Sequence, residues 1–185
     1  MKKSILFYIV ILSYCLFSCN DEVTVPITIY ESVDQTNGWV TATIEGHDFE
    51  AGGEVVLISE EDSIDRFAVH FRTQAPEGYL REMYNLRSIP YKVGFYEIVH
   101  TDNVREGFAS ARFYTLIDDG DVRGSRYGVD ESKTNFIEVT EVNEVEELIK
   151  GNFSVHFKLE EDEEPPSTHP KKFSLKNGVF EMKIR

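Results

Sequence analysis

Leu16-Phe17-Ser18-Cys19 ends an apolar N-terminal run, and its residue types and order prescribe a reaction. Ser18 puts little bulk directly before a cysteine, as a signal peptidase requires. Cleavage there leaves the Cys19 thiol for a diacylglycerol and the freed amine for a further acyl chain. Each chain contributes ~0.8 kcal/mol per buried methylene, so two or three anchor stably where one does not. Lys2 and Lys3 form the positive segment that stays on the cytoplasmic side. Ile5 to Phe17 is too short to span a bilayer, which needs about 20 apolar residues. Cys15 is the poorer candidate, because Tyr14 is bulky where the small residue belongs. The stretch reads as a lipobox: residues 1–18 as signal peptide, Cys19 as the lipid attachment site, and the cell envelope as the location.

The other residues able to do chemistry are less ordered. Asp118, Asp119 and Asp121 surround Gly120, with Asp130 and Glu131 beyond. Calcium takes six to eight oxygens, and such a loop could supply several. The spacing misses the EF-hand pattern, however, and a solvated acidic loop is the expectation. Glu160 to Glu164 is a run of like charge that repels itself. His47, His70, His100, His156 and His169 never fall at metal-ligand spacing. Gly-x-Ser-x-Gly, His-Glu-x-x-His and P-loop motifs are absent from the sequence, and cleavage and acylation leave no free thiol as nucleophile. No catalytic residue, metal site or cofactor is therefore assigned, and the residues weigh against an enzyme. A glycan hydrolase remains the alternative, because its carboxylate pair is defined by separation in space. Trp39, Tyr79, Tyr84, Tyr91 and Tyr96 could offer flat faces to a sugar or protein ligand. Trp39 and Tyr96 are expected in the core instead, where aromatics bury large areas.

Charge and cysteine count narrow the setting. The chain has 19 Lys+Arg against 33 Asp+Glu, a net charge of −14. Without Lys2 and Lys3 the balance is 17 against 33, or −16. So acidic a body disfavours nucleic acid and anionic headgroups and favours solubility. Both cysteines lie in or beside the signal, so no disulfide staples the mature domain. From Cys19 onward, 185 less 18 leaves 167 residues, ample for one domain with its own core.

The periodicity around these residues is that of strands. Residues 19–38 combine a tether with a first strand, in which Val23, Val25, Ile27 and Ile29 alternate with polar residues around Pro26. From Trp39 to Arg185 short period-two segments succeed one another. Trp39 to Gly46 is one. Phe49 and Ala51 lead to a turn at Gly52-Gly53 and a strand at Val55 to Ile58. Phe67, Val69 and Phe71 face one side of the next. Met83 to Ser88, Gly94 to Val99 and Phe108 to Ile117 continue the series, and Asp118 to Thr134 reads as a long loop. Phe136 to Asn143 precedes a strand in which Phe153, Val155, Phe157 and Leu159 alternate strictly with polar residues. Asn177-Gly178, flanked by Phe173, Leu175, Phe180, Met182 and Ile184, predicts a hairpin with a type I′ turn and positive φ at Gly178. About ten strands and no long amphipathic helix predict an all-β fold, a single antiparallel sandwich or barrel-like domain behind the lipoprotein signal.

Gly94-Phe95-Tyr96, Asn135-Phe136-Ile137-Glu138-Val139-Thr140, Ile149-Lys150-Gly151-Asn152-Phe153-Ser154-Val155 and Lys176-Asn177-Gly178-Val179-Phe180 together resemble a family of Bacteroidota lipoproteins with a β-rich domain of unknown function. The resemblance covers most of Trp39 to Arg185. Phe95 fills the middle of its first pattern, and Asn143 stands where an Asp is common. It implies location and fold but no activity. Asp21-Glu22 likewise resembles the acidic signal that sends such lipoproteins to the outer face of the outer membrane. The expected role is a membrane-anchored, non-catalytic binding or scaffolding module, possible partners being a protein or a glycan, with no nucleic acid. Cys19→Ser should abolish lipid labelling and release the protein from membranes. Full membrane retention of that variant would refute the lipobox reading.

Overall fold

Along Gly38–Ile44 every second residue is buried, and the same alternation runs from Leu148 through Phe157. Successive side chains of a strand point to opposite faces, so each such segment offers one apolar face to a shared interior. The structure, a computed structural model, describes residues 27–33, 36–60, 63–162 and 169–184. Cys19, the signal and Val23 to Pro26 lie outside them. The strands are β1 (Glu31–Ser32), β2 (Gly38–Ile44), β3 (His47–Glu60), β4 (Ser63–Gln74), β5 (Leu80–Pro90), β6 (Gly94–Val99), β7 (Ala109–Ile117), β8 (Val122–Val129), β9 (Phe136–Asn143), β10 (Leu148–Glu161) and β11 (Lys172–Lys183). The chain is all-β, as expected, with one short 3-10 turn at Thr101–Asn103.

The strands close on themselves. β2 pairs with β3, β3 with β4, β4 with β5, β5 with β7, β7 with β8, β8 with β10, β10 with β11, and β11 returns to β2, every pair antiparallel. This is an eight-stranded barrel, a size whose interior side chains just fill. At the opposite end β6 and β9 take over from β8. β7 pairs with β6, β6 with β9, and β9 with β10. That end has nine strands in its ring. An odd ring cannot be antiparallel throughout, and the one parallel contact, Ile98 with Ala109 and Val99 with Ser110, resolves the mismatch. β1 adds Glu31 and Ser32 to the end of β4, so the first described strand lies just beyond the predicted Val23–Ile29 segment.

Aromatic rings fill the lumen. Tyr84 stacks between Phe71, at 4.8 Å, and Phe113, at 4.5 Å, and meets Phe49 edge-on at 5.4 Å. Phe173 joins Phe113 and Phe157 at 5.1 and 5.3 Å. All six of these rings are buried. Tyr96 is buried as expected, but Trp39 is only half-buried, because it alternates with Gly38 and Val40 onto the outer wall.

Three sequence expectations need correction. Gly52-Gly53 is not a turn: β3 runs straight through it. A Cβ on Gly53 would stand 2.4 Å from Met182 Cε and 2.9 Å from the His70 carbonyl, so the glycine admits a close approach. The supposed loop Asp118 to Thr134 contains β8, whose two glycines and polar inward Ser125 hide the strand pattern. Asn177-Gly178 is not a hairpin turn either. β11 is one strand with a bulge at that dipeptide, since Phe153 and Val155 of β10 oppose Gly178 and Leu175, while Thr43 and Thr41 of β2 oppose Lys176 and Val179. Asn177, not Gly178, has positive φ, at 53°. Both devices use left-handed backbone, which is why one dipeptide signals either. The extra residue shifts the phase, so odd-numbered Phe173 and Leu175 and even-numbered Phe180 and Met182 all face the lumen.

A Cβ on Gly178 would meet the Phe153 ring at 2.5 Å. Gly178→Val should therefore cost about 1–3 kcal/mol from overpacking, while Asn177→Gly, which keeps the left-handed turn, should stay within ~0.5 kcal/mol. Chemical denaturation of both variants checks the contrast. Deleting residues 179–185 should abolish cooperative unfolding, because it removes most of the β11 contact with β2.

Candidate functional site

The residues singled out from sequence do not converge. Asp118, Asp119 and Asp121 form the β7–β8 turn, packed on the start of β5. Gly120, at φ 92°, comes so close to Leu80 that a Cβ would lie 2.8 Å from its amide nitrogen, and Arg81 donates to the Asp118 carbonyl at 2.9 Å. A hydrogen bond and the charge of Asp119 raise the pKa of Asp121. Among the described residues no three His, Cys, Asp or Glu side chains are placed to hold a metal ion. Asp130 and Glu131 point to different partners. Asp130 accepts from Ser132 Oγ at 2.7 Å, which lowers its pKa, and Glu131 accepts from Asn103 Nδ2 and the His100 amide, both at 2.9 Å, with the same effect.

The histidines divide. His70 and His156 lie half-buried on outer faces, and burial lowers both pKa values toward neutral imidazole. The His156 amide donates to Asn135 Oδ1 at 2.7 Å. His100 bonds Glu160, whose other oxygen lies 3.3 Å from Arg126 Nε. Together with Glu131 this ties the 3-10 turn and the β8–β9 loop to the wall of the barrel.

His169 is different. It precedes β11 and reaches into the eight-stranded end of the barrel, with Nε2 2.7 Å from Glu82 Oε1. The other Glu82 oxygen accepts from Thr73 Oγ1 at 2.5 Å and from the Tyr84 hydroxyl at 3.2 Å. Thr73, Glu82 and His169 are 0, 1 and 3 % exposed. The His169 ring lies 5.0 Å from Phe113 and 5.5 Å from Phe173, and the Tyr127 hydroxyl donates to its carbonyl at 3.3 Å. Burial, and next Glu82, push the Tyr84 hydroxyl well above its usual pKa, so it stays a donor.

An acid, an imidazole and a hydroxyl within hydrogen-bond reach suggest a nucleophilic triad, but the connectivity is wrong for one. In a triad the imidazole takes the hydroxyl proton and the acid orients the imidazole from its far side. Here the hydroxyl donates to the same carboxylate that the imidazole lies against, so Thr73 gives its hydrogen to Glu82 and is not activated by His169. All three are buried. The arrangement satisfies a carboxylate in an otherwise aromatic lumen and holds His169, just ahead of β11, against it.

Sequence reading missed these residues. Thr73 continues the inward phase of Phe67, Val69 and Phe71, and Glu82 that of Tyr84 and Leu86, so two polar side chains at lumen positions were available as a signal. For His169 no local pattern pointed inward. The chain matches no protein-family model, no curated protein and no solved structure.

Removing one member of a buried pair strands the other, at about 3–5 kcal/mol, whereas replacing both by apolar residues is often neutral. Glu82→Leu and His169→Leu should each destabilise by that order, and the double variant should recover most of the loss. A double-mutant cycle from denaturant melts measures it. Additive losses would show that the two side chains do not act as a pair.

Proposed function

We propose that the protein is an outer-membrane lipoprotein, tethered through Cys19, whose barrel is a non-catalytic binding or scaffolding module. The lipobox carries the tether, and the resemblance to Bacteroidota lipoproteins supports the outer membrane and exposure at the cell surface. No helix among the described residues is long and apolar enough to cross a membrane.

The filled lumen carries the binding reading. Eight-stranded barrels either hold a small ligand inside or fill with side chains, and here Phe71, Tyr84, Phe113, Phe157 and Phe173 occupy the interior. The buried polar pair at the barrel mouth is sealed and wrongly connected for nucleophilic catalysis. Recognition therefore falls to the outer walls and loops, where the partner is a glycan or a protein.

The full-length protein in neutral detergent should retain polysaccharides or proteins from a cell-envelope fraction without shortening them. Release of new reducing ends from a polysaccharide panel, lost on substitution of an acidic residue, would replace this reading with that of a hydrolase.

A further inference from the structure

The net charge of the chain conceals a strong segregation. Strands β4, β5, β7 and β8 are neighbours in the barrel, and together they carry seven arginines, no lysine and two acids. One of those acids, Glu82, points into the lumen, and the other, Asp65, lies 3.6 Å from Arg66. The rest of the chain is the acidic part.

Register fixes where the arginines point. Phe71, Tyr84, Phe113 and Tyr127 are buried in the lumen, so their chain neighbours Arg72, Met83, Tyr114 and Arg126 face outward. These four stand in one row across β4, β5, β7 and β8. His70, Asn85 and Arg112 form the next row, and Arg87, opposite Ser110, comes after it. With strands ~4.8 Å apart, Arg72 and Arg126 lie about 14 Å apart across this wall. Arg87 and Arg123 are exposed. Acids mark the borders: Arg72 bonds Glu54 on β3 at 2.9 Å, and Arg126 lies 3.1 Å from Glu161 on β10. Between the borders Arg112 donates to the Tyr114 hydroxyl at 3.4 Å, and its Nε is buried with no hydrogen-bond partner among the described residues.

We propose that this wall is a docking surface for a carboxylated or sulfated polysaccharide. The inference rests on the binding-module reading and names the ligand class for it. Guanidinium groups present a planar fork that matches carboxylate and sulfate geometry, and their exclusive use over lysine fits that recognition. They are spread over four strands rather than gathered at a point, which suits a chain of repeated anions and not a single ion. A flat anionic membrane would meet the acidic borders as well as the wall, whereas a single polymer chain lies within the stripe. Bases of a nucleic acid need an open aromatic face, and the Tyr114 ring is only 9 % exposed, with the Arg123 guanidinium 4.9 Å above it.

The test uses the full-length protein in neutral detergent, with polygalacturonate and a sulfated dextran as probes and neutral dextran as control. Both anionic polymers should bind and neutral dextran should not, with affinity falling as salt rises. Arg87→Gln/Arg123→Gln should weaken binding at least tenfold, and Arg87→Glu/Arg123→Glu should abolish it. Both variants touch exposed side chains, and unchanged melting temperatures would show them folded. No binding to either anionic polymer, or binding that survives both variants, overturns the proposal. Tighter binding to phosphatidylglycerol vesicles or to RNA than to the polymers overturns it in favour of those partners. Retention of a neutral glycan, unaffected by the variants, would refute the wall and leave the binding module standing, while cleavage of a probe would refute the non-catalytic reading by itself.

Discussion

The fold depends on the pairing of β11 with both β10 and β2. That contact turns a meander of strands into a ring, and a ring has no exposed edge along the strands it joins. It also sets a strict condition on phase, because a slip of one residue on β11 would turn its whole inner face to water. The bulge at Asn177-Gly178 meets that condition. It inserts one residue where Phe153 crowds the strand, and so keeps Phe173, Leu175, Phe180 and Met182 on one side. The glycine at position 53 belongs to the same seam, since it makes room for Met182 of β11 from the other side of β2.

Inside and outside of this ring obey opposite rules. The lumen is aromatic, and its buried carboxylate is satisfied by a hydroxyl, a phenol and an imidazole, brought together from separate segments of the chain. That degree of satisfaction is what makes a polar group tolerable in such a place. On the outer wall the acids and arginines are sorted by strand, so that the overall negative charge describes no single face. Net charge speaks to solubility and long-range repulsion, and it is silent on what a particular set of neighbouring strands presents.

Much of the fold was legible because burial alternates with period two. The strands at Gly38–Ile44, Gly94–Val99, Phe136–Asn143 and Leu148–Glu161 stand out for that reason. What was not legible depends on partners distant in sequence. Gly52-Gly53 reads as a turn unless Met182 is known to pack against it, and Asn177-Gly178 reads as a hairpin unless the flanking strands are known to pair elsewhere. β8 escaped because Gly124, Ser125 and Gly128 replace the bulky residues that mark a strand. The polar centre was hidden in the same way. Glu82 and Thr73 carry an inward phase, but their third partner comes from a connection 87 residues beyond Glu82, and only the closed ring brings His169 to them.

The same ring has a temporal side. β2 begins at Gly38 and β11 ends at Lys183, so the contact that seals the barrel joins nearly the two ends of the described chain. Contacts so remote in sequence are formed late and slowly, since the entropy of bringing the ends together must be met before they gain anything. Until residues 172–183 are in place, β2 and β10 each lack the neighbour that β11 provides, and an unpaired strand edge is a template for pairing with another chain. The net charge of −14 sets copies of the chain against one another, and so opposes that pairing.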